Sequence, residues 1–220
     1  MTSSWVEQLA KVGLPPQLAI LALLTVLSLL PAIVLTMTSF TRFVVVLSFV
    51  KNGIGLQQSP PSQVMVGLAL FLTMFTMAPV TERIAADAWQ PLERGEITGV
   101  EALERGVVPV RSFMLRQTRE ADLALFYDAA KLPYPKTESD VPLRIAAPAF
   151  LVSELTTAFE MGILVLLPFL LIDLAVSSGL MSMGMMMVPP SQISLPLKLI
   201  VFVLVDGWHL LVDSLLRSFM

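Results

Sequence analysis

Few residues in this chain could carry out covalent chemistry. Hydrolysis or group transfer needs a nucleophile beside a base, or two convergent carboxylates. The one histidine, His209, stands beside Trp208 in an apolar run, where a ring on a helix face satisfied by a neighbour is the simplest role. Glu93 with Glu96, and Glu101 with Glu104, lie three residues apart, an everyday spacing on a solvated helix. There is no glycine-rich phosphate loop, Walker pattern or zincin pattern. With no cysteine in the sequence, disulfides, thiolate metal centres and cysteine nucleophiles are excluded. One histidine cannot build a His-based metal cluster. We therefore expect no enzyme, no cofactor and no metal.

Two other sets of residues carry physical meaning. The first is Gly184-Met185-Met186-Met187-Val188-Pro189-Pro190, within a stretch from Met161 to Met187 that holds 6 of the 13 methionines. Methionine commonly fills irregular gaps in a core. Three consecutive helical residues, however, fan out over about 200°, so they cannot share one narrow seam. Followed by two prolines, they are expected on a loop, and at membrane depth a loop survives only inside protein or lining a cavity. A ring of flexible apolar chains could plug a pore and still yield. On composition alone, gap filling remains the leading explanation. The second set is Glu154 and Lys198, each embedded in apolar sequence. An unpaired charge there is costly, so they are expected to pair with each other, within or between subunits, with Arg119 as a third member. The alternative is that each reaches an interface by extending its apolar stem.

The elements that hold these residues follow from composition. Of 220 residues, 55% are hydrophobic and 14% charged, with mean hydropathy +0.79, against roughly 45–50% and 25% for an ordinary soluble domain. The net charge of −3 gives no basic surface for nucleic acid. Charge is concentrated: 20 charged residues fall within 82–144. Three regions result, with apolar helical hairpins expected over 1–81 and 145–220 and a polar helical domain over 82–144. Two stretches of 30 residues, 12–41 and 52–81, carry no charge, and about 20 apolar residues suffice to cross a bilayer core. Windows at 18–41, 62–80, 155–180 and 197–216 approach that length. Pro31 should split the first, Pro79 end the second and Pro168 interrupt the third, while Pro189, Pro190 and Pro196 separate the last two. The expected fold is all-α, built from membrane-associated kinked hairpins with an inserted small helical polar domain.

Arg42 and Lys51 give a 42–61 loop a positive charge with no acid. The positive-inside rule would place that loop in the cytoplasm, and the polar middle and both termini outside. Residues 1–11 contain Glu7 and no basic run, unlike a signal peptide. Either the first helix acts as its own insertion signal or a signal has been removed and replaced.

In the polar region Leu103, Val107, Val110 and Met114 are spaced as a core-facing helical stripe. Thr98 and Glu101 form a capping box ahead of it, and Pro109 is expected to break the helix in two. Thr118, Glu120 and Asp122 mark another helix start, with Pro133 and Pro135 beyond its end. Phe113 and Phe126 either fill the small core or dock a neighbouring subunit, with at least one expected in the core.

The runs Met37-Thr-Ser-Phe-Thr-Arg42, Pro60-Pro-Ser-Gln-Val64, Gly67-Leu-Ala-Leu-Phe-Leu-Thr73, Ser153-Glu-Leu-Thr-Thr-Ala-Phe159, Gly184 through Lys198, and Asp206-Gly-Trp208 together resemble the FliP family of flagellar type III export gates, to which the injectisome SctR proteins are related. The resemblance covers about residues 18–218 and leans flagellar. It implies a pore-forming structural subunit that assembles as a five-copy ring with FliR-like and FliQ-like partners. Such a ring sits in the inner membrane at the flagellar basal body, passes unfolded axial proteins and templates the rod. Other export-apparatus and rod proteins, exported substrates and membrane lipid are the implied contacts. By the same resemblance Met185, Met186 and Met187 form the pore gasket, and mature complexes sit largely above the bilayer plane. A small-solute transporter or ion channel is the competing reading. Its breaks at Pro31 and at Pro189–Pro196 are a faint sign of paired interrupted helices, but the two halves share no visible motif.

Overall fold

The computed structural model describes residues 16–55, 60–185 and 187–220, and among them the secondary structure is helical. Of the described residues, those up to Thr36 form one unit and those from Met37 onward another. In the first, α1 (Pro16–Thr36) is a 21-residue helix without a charged residue. It continues past Pro31, so the expected split does not occur. Proline there costs only the bond to the Leu27 carbonyl, one backbone bond in a helix of 21 residues.

The second unit holds α2 (Phe40–Ile54), α3 (Ser62–Ile84), a π-helical turn (Ala85–Trp89) that runs into the short α4 (Gln90–Glu93), α5 (Gly99–Gln117), α6 (Glu120–Ala130), α7 (Leu143–Ser182), α8 (Pro190–Leu204) and α9 (Gly207–Arg217). The α3 span through Glu93 and α7 are each long and apolar enough to cross a membrane, and α8 with α9 forms a pair bent by 64°. The chain is thus all-α and membrane-associated, with a bent helix pair as well as long continuous helices.

Over the first part of the expected 42–61 loop, through Ile54, there is instead α2. Phe43, Val46, Leu47, Val50 and Ile54 recur at helical spacing and are buried. They meet Met65, Ala69 and Leu72 of α3, Ala158 and Phe169 of α7, and Leu211 and Leu215 of α9. The most extensive packing is α2 on α7, and it depends on small residues. A Cβ at Gly162 would overlap the Phe49 ring, which itself packs edge-on against Phe159 at 5.1 Å. Gly162→Ala is expected to destabilise this pair by about 1–3 kcal/mol, checked as a lower denaturation midpoint in detergent.

A second core joins Met77 and Val80 of α3 to Phe113 and Met114 of α5, Tyr127 of α6, and Ile145, Ala146 and Phe150 of α7. Several proline expectations are corrected here. Pro79 lies inside α3, Pro109 inside α5, Pro168 inside α7 and Pro196 inside α8. Tertiary packing on both sides of each proline offsets one missing hydrogen bond. The bend between α8 and α9 comes from another cause. Asp206 takes a left-handed backbone, φ 52°, a conformation that aspartate tolerates better than most residues. Gly207 follows because a Cβ there would strike the Phe202 ring.

The stripe on α5 is also corrected. Leu103 is 70% exposed, and the buried line runs Ala102, Pro109, Phe113 and Met114. Small residues won that face because α5 lies close against the π turn: a Cβ on Gly106 would be 3.7 Å from that of Ala88. The capping box is present. The Glu101 N–H donates to Thr98 Oγ1 at 3.3 Å, and the Thr98 N–H donates to Glu101 Oε2 at 2.8 Å. Thr98→Ala should cost about 1 kcal/mol of local stability.

The Thr98 backbone N–H, then its hydroxyl, hold the Glu101 carboxyl below its ordinary pKa. A group depressed in the folded state contributes stability above its unfolded pKa, and this is lost as pH falls through the folded value. Amide protection at the start of α5 should therefore weaken as pH drops below about 4.3. Glu101→Gln should flatten that dependence, and an unchanged pH profile in the variant would count against the box.

Candidate functional site

Two features of the second unit can do physical work. One is a set of ion pairs inside the apolar helices, and the other is the loop between α7 and α8.

Arg42 is 2% exposed and Glu154 fully buried. They form a two-pronged pair: Arg42 Nε donates to Glu154 Oε2 at 3.0 Å, and Nη2 to Oε1. Nη2 also donates to Gln117 Oε1 at 3.2 Å, and Nη1 to the carbonyl and the hydroxyl of Ser218, both at 2.9 Å. All five guanidinium donors are thereby used. The guanidinium carbon lies 3.7 Å from the centre of the Phe219 ring, a cation–π contact. One side chain thus ties together α2, the end of α5, α7 and the residues after α9.

The expected pairing of Glu154 with Lys198 is not made within the chain. Lys198 Nζ donates to Asp173 Oδ2 at 2.6 Å and to the Gly53 carbonyl at 3.1 Å. Ser194, one turn earlier on the same helix, is buried. The reason is length: 19 residues of α7 separate Glu154 from Asp173, about 28 Å of helix, and α8 packs at the Asp173 end. Arg119 does not join them either. Its Nη2 donates to Glu160 Oε2 at 2.6 Å and to Thr157 Oγ1 at 3.3 Å, and its backbone N–H donates to Ser153 Oγ at 3.0 Å. Ser153 in turn donates to Asp122, which seats the start of α6 on α7. Three separate pairs stand where one cluster was expected.

Sequence reasoning missed Arg42, Gln117 and Ser218 as members of these networks. A usable signal existed for Arg42: it is a base in an apolar run, as Glu154 is an acid in one. Treating it as a loop charge hid it. Its burial also removes half the basis for the orientation expected from the 42–61 segment.

Phe113 is 4% exposed. Its ring is 5.9 Å from that of Phe150 and stacks on Phe219 at 6.1 Å. It is a core residue, which leaves no open ring face for a docking role. Phe126 is half-buried against the same core.

The methionine segment is a loop. Helix α7 stops because Gly184 takes φ 74°. The Gly184 N–H donates to the Met181 carbonyl at 3.1 Å and the Met185 N–H to that of Leu180 at 3.0 Å, the paired bonds of a Schellman ending. Pro189 then precedes α8 and Pro190 opens it, a position where proline loses nothing. Just before the first stop Met183 is 68% exposed, and between the stops Met185 is 45% and Met187 97% exposed. Met186 lies outside the described residues. Along α7, Phe159, Ile163, Leu167, Leu170, Leu171 and Leu174 are exposed as well. So much uncovered apolar surface is suited to lipid or to further protein chains.

The sequence profile of the FliP family matches residues 23–215. The chain is 55% identical over 199 residues to the flagellar biosynthetic protein FliP of Pectobacterium carotovorum subsp. carotovorum, covering 90% of this chain and 77% of that one. It is 52% identical over 200 residues to the protein of that name from Bacillus subtilis (strain 168), covering 91% and 90%. With the Aquifex aeolicus (strain VF5) protein of that name it shares 48% identity over 214 residues, covering 95% and 90%.

Proposed function

This chain belongs to the FliP family, and from that premise we propose that it is a pore-forming structural subunit of the flagellar type III protein export gate. It is a membrane-associated component of the flagellar export apparatus. The finer reading is a ring of about five copies with FliR-like and FliQ-like subunits, seated in the inner membrane at the basal body. The ring passes unfolded axial proteins and templates the rod, in company with other export-apparatus proteins. Its role is structural and not catalytic.

The observation that carries this reading is the methionine loop, a short apolar arch fixed at both ends by a Schellman glycine and by proline. In a ring, Met185, Met186 and Met187 of each copy would converge on the axis. They would form a dry constriction of flexible side chains that closes by excluding water. The apolar regions 1–81 and 145–220 would build the wall, with 82–144 on the outer side of the membrane. Half-buried Phe126 would meet the neighbouring copy. Glu154, Lys198 and Arg119, paired within each copy, would hold the wall in shape.

The test is the native mass of the detergent-extracted complex when the chain is expressed beside FliR-like and FliQ-like neighbours. Five copies with one larger partner is the expected result. A stable monomer or dimer that ignores those partners would overturn the ring and bring a solute transporter forward.

A further inference from the structure

Helix α7 carries a line of exposed side chains on the side away from its buried residues Ala158, Gly162, Phe169 and Leu180. Leu164, Leu167, Leu171, Leu174 and Ser178 follow one another at alternating spacings of three and four, and the four leucines are 47–67% exposed. Helix α8 carries a second line, about a third of a turn from its buried Ser194, Lys198 and Phe202. Ile193, Leu197, Ile200 and Leu204 show the same alternation and are 41–79% exposed. That alternation is the 3.5-residue period with which one helix packs along another. Neither line contains a charge. Over these stretches each helix has one charged residue, Asp173 or Lys198, and the two are turned to each other.

The ion pair also sets the level of the two lines. The chain turns back through residues 183–189, so α7 and α8 run antiparallel, and Lys198 Nζ lies 2.6 Å from Asp173 Oδ2. Counting outward from that pair, Leu174 is level with Leu197, Leu171 with Ile200, Leu167 with Leu204 and Ser178 with Ile193. The match stops at Leu204 because α8 ends there, two residues before the Asp206 bend. Within one copy the lines do not cover each other, since both are exposed. Rotation about an axis along the hairpin brings the α8 line of one copy beside the α7 line of the next without changing any level. A lipid surface would ask for apolar faces but for no such correspondence.

We propose that α7 of one copy packs on α8 of the next through these two lines, antiparallel and in the register set by Asp173 and Lys198. The proposal rests on the reading of the chain as a ring subunit and names the faces that build the ring. It joins two different surfaces, as a heterologous, ring-closing interface must. With Leu170, Met181 and Val203 beside them, these side chains leave on the order of 1,000 Å² uncovered, close to the roughly 1,200 Å² at which specific interfaces begin. In a ring every copy makes the contact twice, once with each face. The register also keeps the loop between α7 and α8 at one level in all copies, which a shared methionine constriction requires.

The chain has no cysteine, so an introduced pair reports a single contact. Two differently tagged full-length copies would be expressed with the FliR-like and FliQ-like neighbours, one carrying Leu174→Cys and the other Leu197→Cys, and oxidised in the membrane. A disulfide joining both tags is expected for this pair and for Leu171→Cys with Ile200→Cys. Each should form at least about tenfold more than Leu174→Cys with Leu204→Cys, whose levels differ by about 10 Å. Ser178→Phe, at a position exposed in the single copy, should lower the yield of ring about tenfold by wedging against Ile193 of the next copy. Native mass of the same samples reads the ring separately. An intact ring without disulfides at the level pairs would mean that lipid or another subunit covers the leucines, and would overturn the interface while the ring stands. Equal cross-linking at the off-level pair would overturn the register, and a chain that stays monomeric would overturn both the interface and the ring.

Discussion

Arg42→Met is expected to destabilise the folded chain by about 3–5 kcal/mol. The substitution removes the partner of a fully buried carboxylate. It also strips donors from Gln117 Oε1 and from the Ser218 carbonyl and hydroxyl. A buried ion pair need not add net stability over an apolar pair, but half of one is costly because the remaining charge cannot be solvated. The double variant Arg42→Met with Glu154→Met should therefore recover most of the loss. That recovery distinguishes an orphaned charge from a simple packing defect. Arg42→Lys should rescue poorly, since an ammonium cannot reproduce the five-donor fork that joins four chain segments. Denaturant titration of the detergent-solubilised chain, followed by circular dichroism, would read all three. If Arg42→Met unfolds at the wild-type midpoint, the pair is not holding these segments together.

Much of this architecture can be read from residue types. The concentration of charge in 82–144 and the long charge-free stretches announce an all-α membrane-associated chain. The Thr98–Glu101 box announces the start of α5, because a cap is a local interaction that four residues encode by themselves. The methionine loop is legible for a similar reason: a glycine and two prolines stop helices wherever they stand. Other features depend on partners distant in sequence. Arg42 looks like the end of an apolar segment until Glu154, 112 residues away, neutralises it. Leu103 looks like core, yet Ala102 and Gly106 take that face, because two helix backbones approach closest across small side chains. Pro79, Pro109 and Pro168 look like helix ends, but packing along α3, α5 and α7 offsets the single bond each one removes. The Asp206 bend has no proline to announce it. The pairing of charges was foreseeable in kind and not in identity, since helix lengths decide which acid reaches which base.

Replacing Met185, Met186 and Met187 together with glycine is expected to raise ion leakage through the assembled, resting complex at least about tenfold. The argument rests on what methionine supplies at this place. Its side chain is apolar, so a ring of them leaves water in the constriction poorly solvated and the pore dry. It is also unbranched and flexible, so the same ring can part for a passing chain and close behind it. Met187 is 97% exposed in the single chain, which is the exposure needed for it to meet copies of itself. Glycine keeps the loop's backbone options open and removes only the plug, so native mass should show the complex intact. Replacement by three leucines should restore the seal, since leucine is equally apolar, but slow transport, since its branched end is stiffer. Gly184→Ala provides a separate control. It strains a left-handed residue and disturbs the α7 ending that aims the loop, so it should leak while every methionine is present. Conductance in planar bilayers, with substrate export measured in cells, would check each variant. An intact triple-glycine complex with wild-type leakage would mean that the seal lies elsewhere and that the exposed methionines serve some other contact.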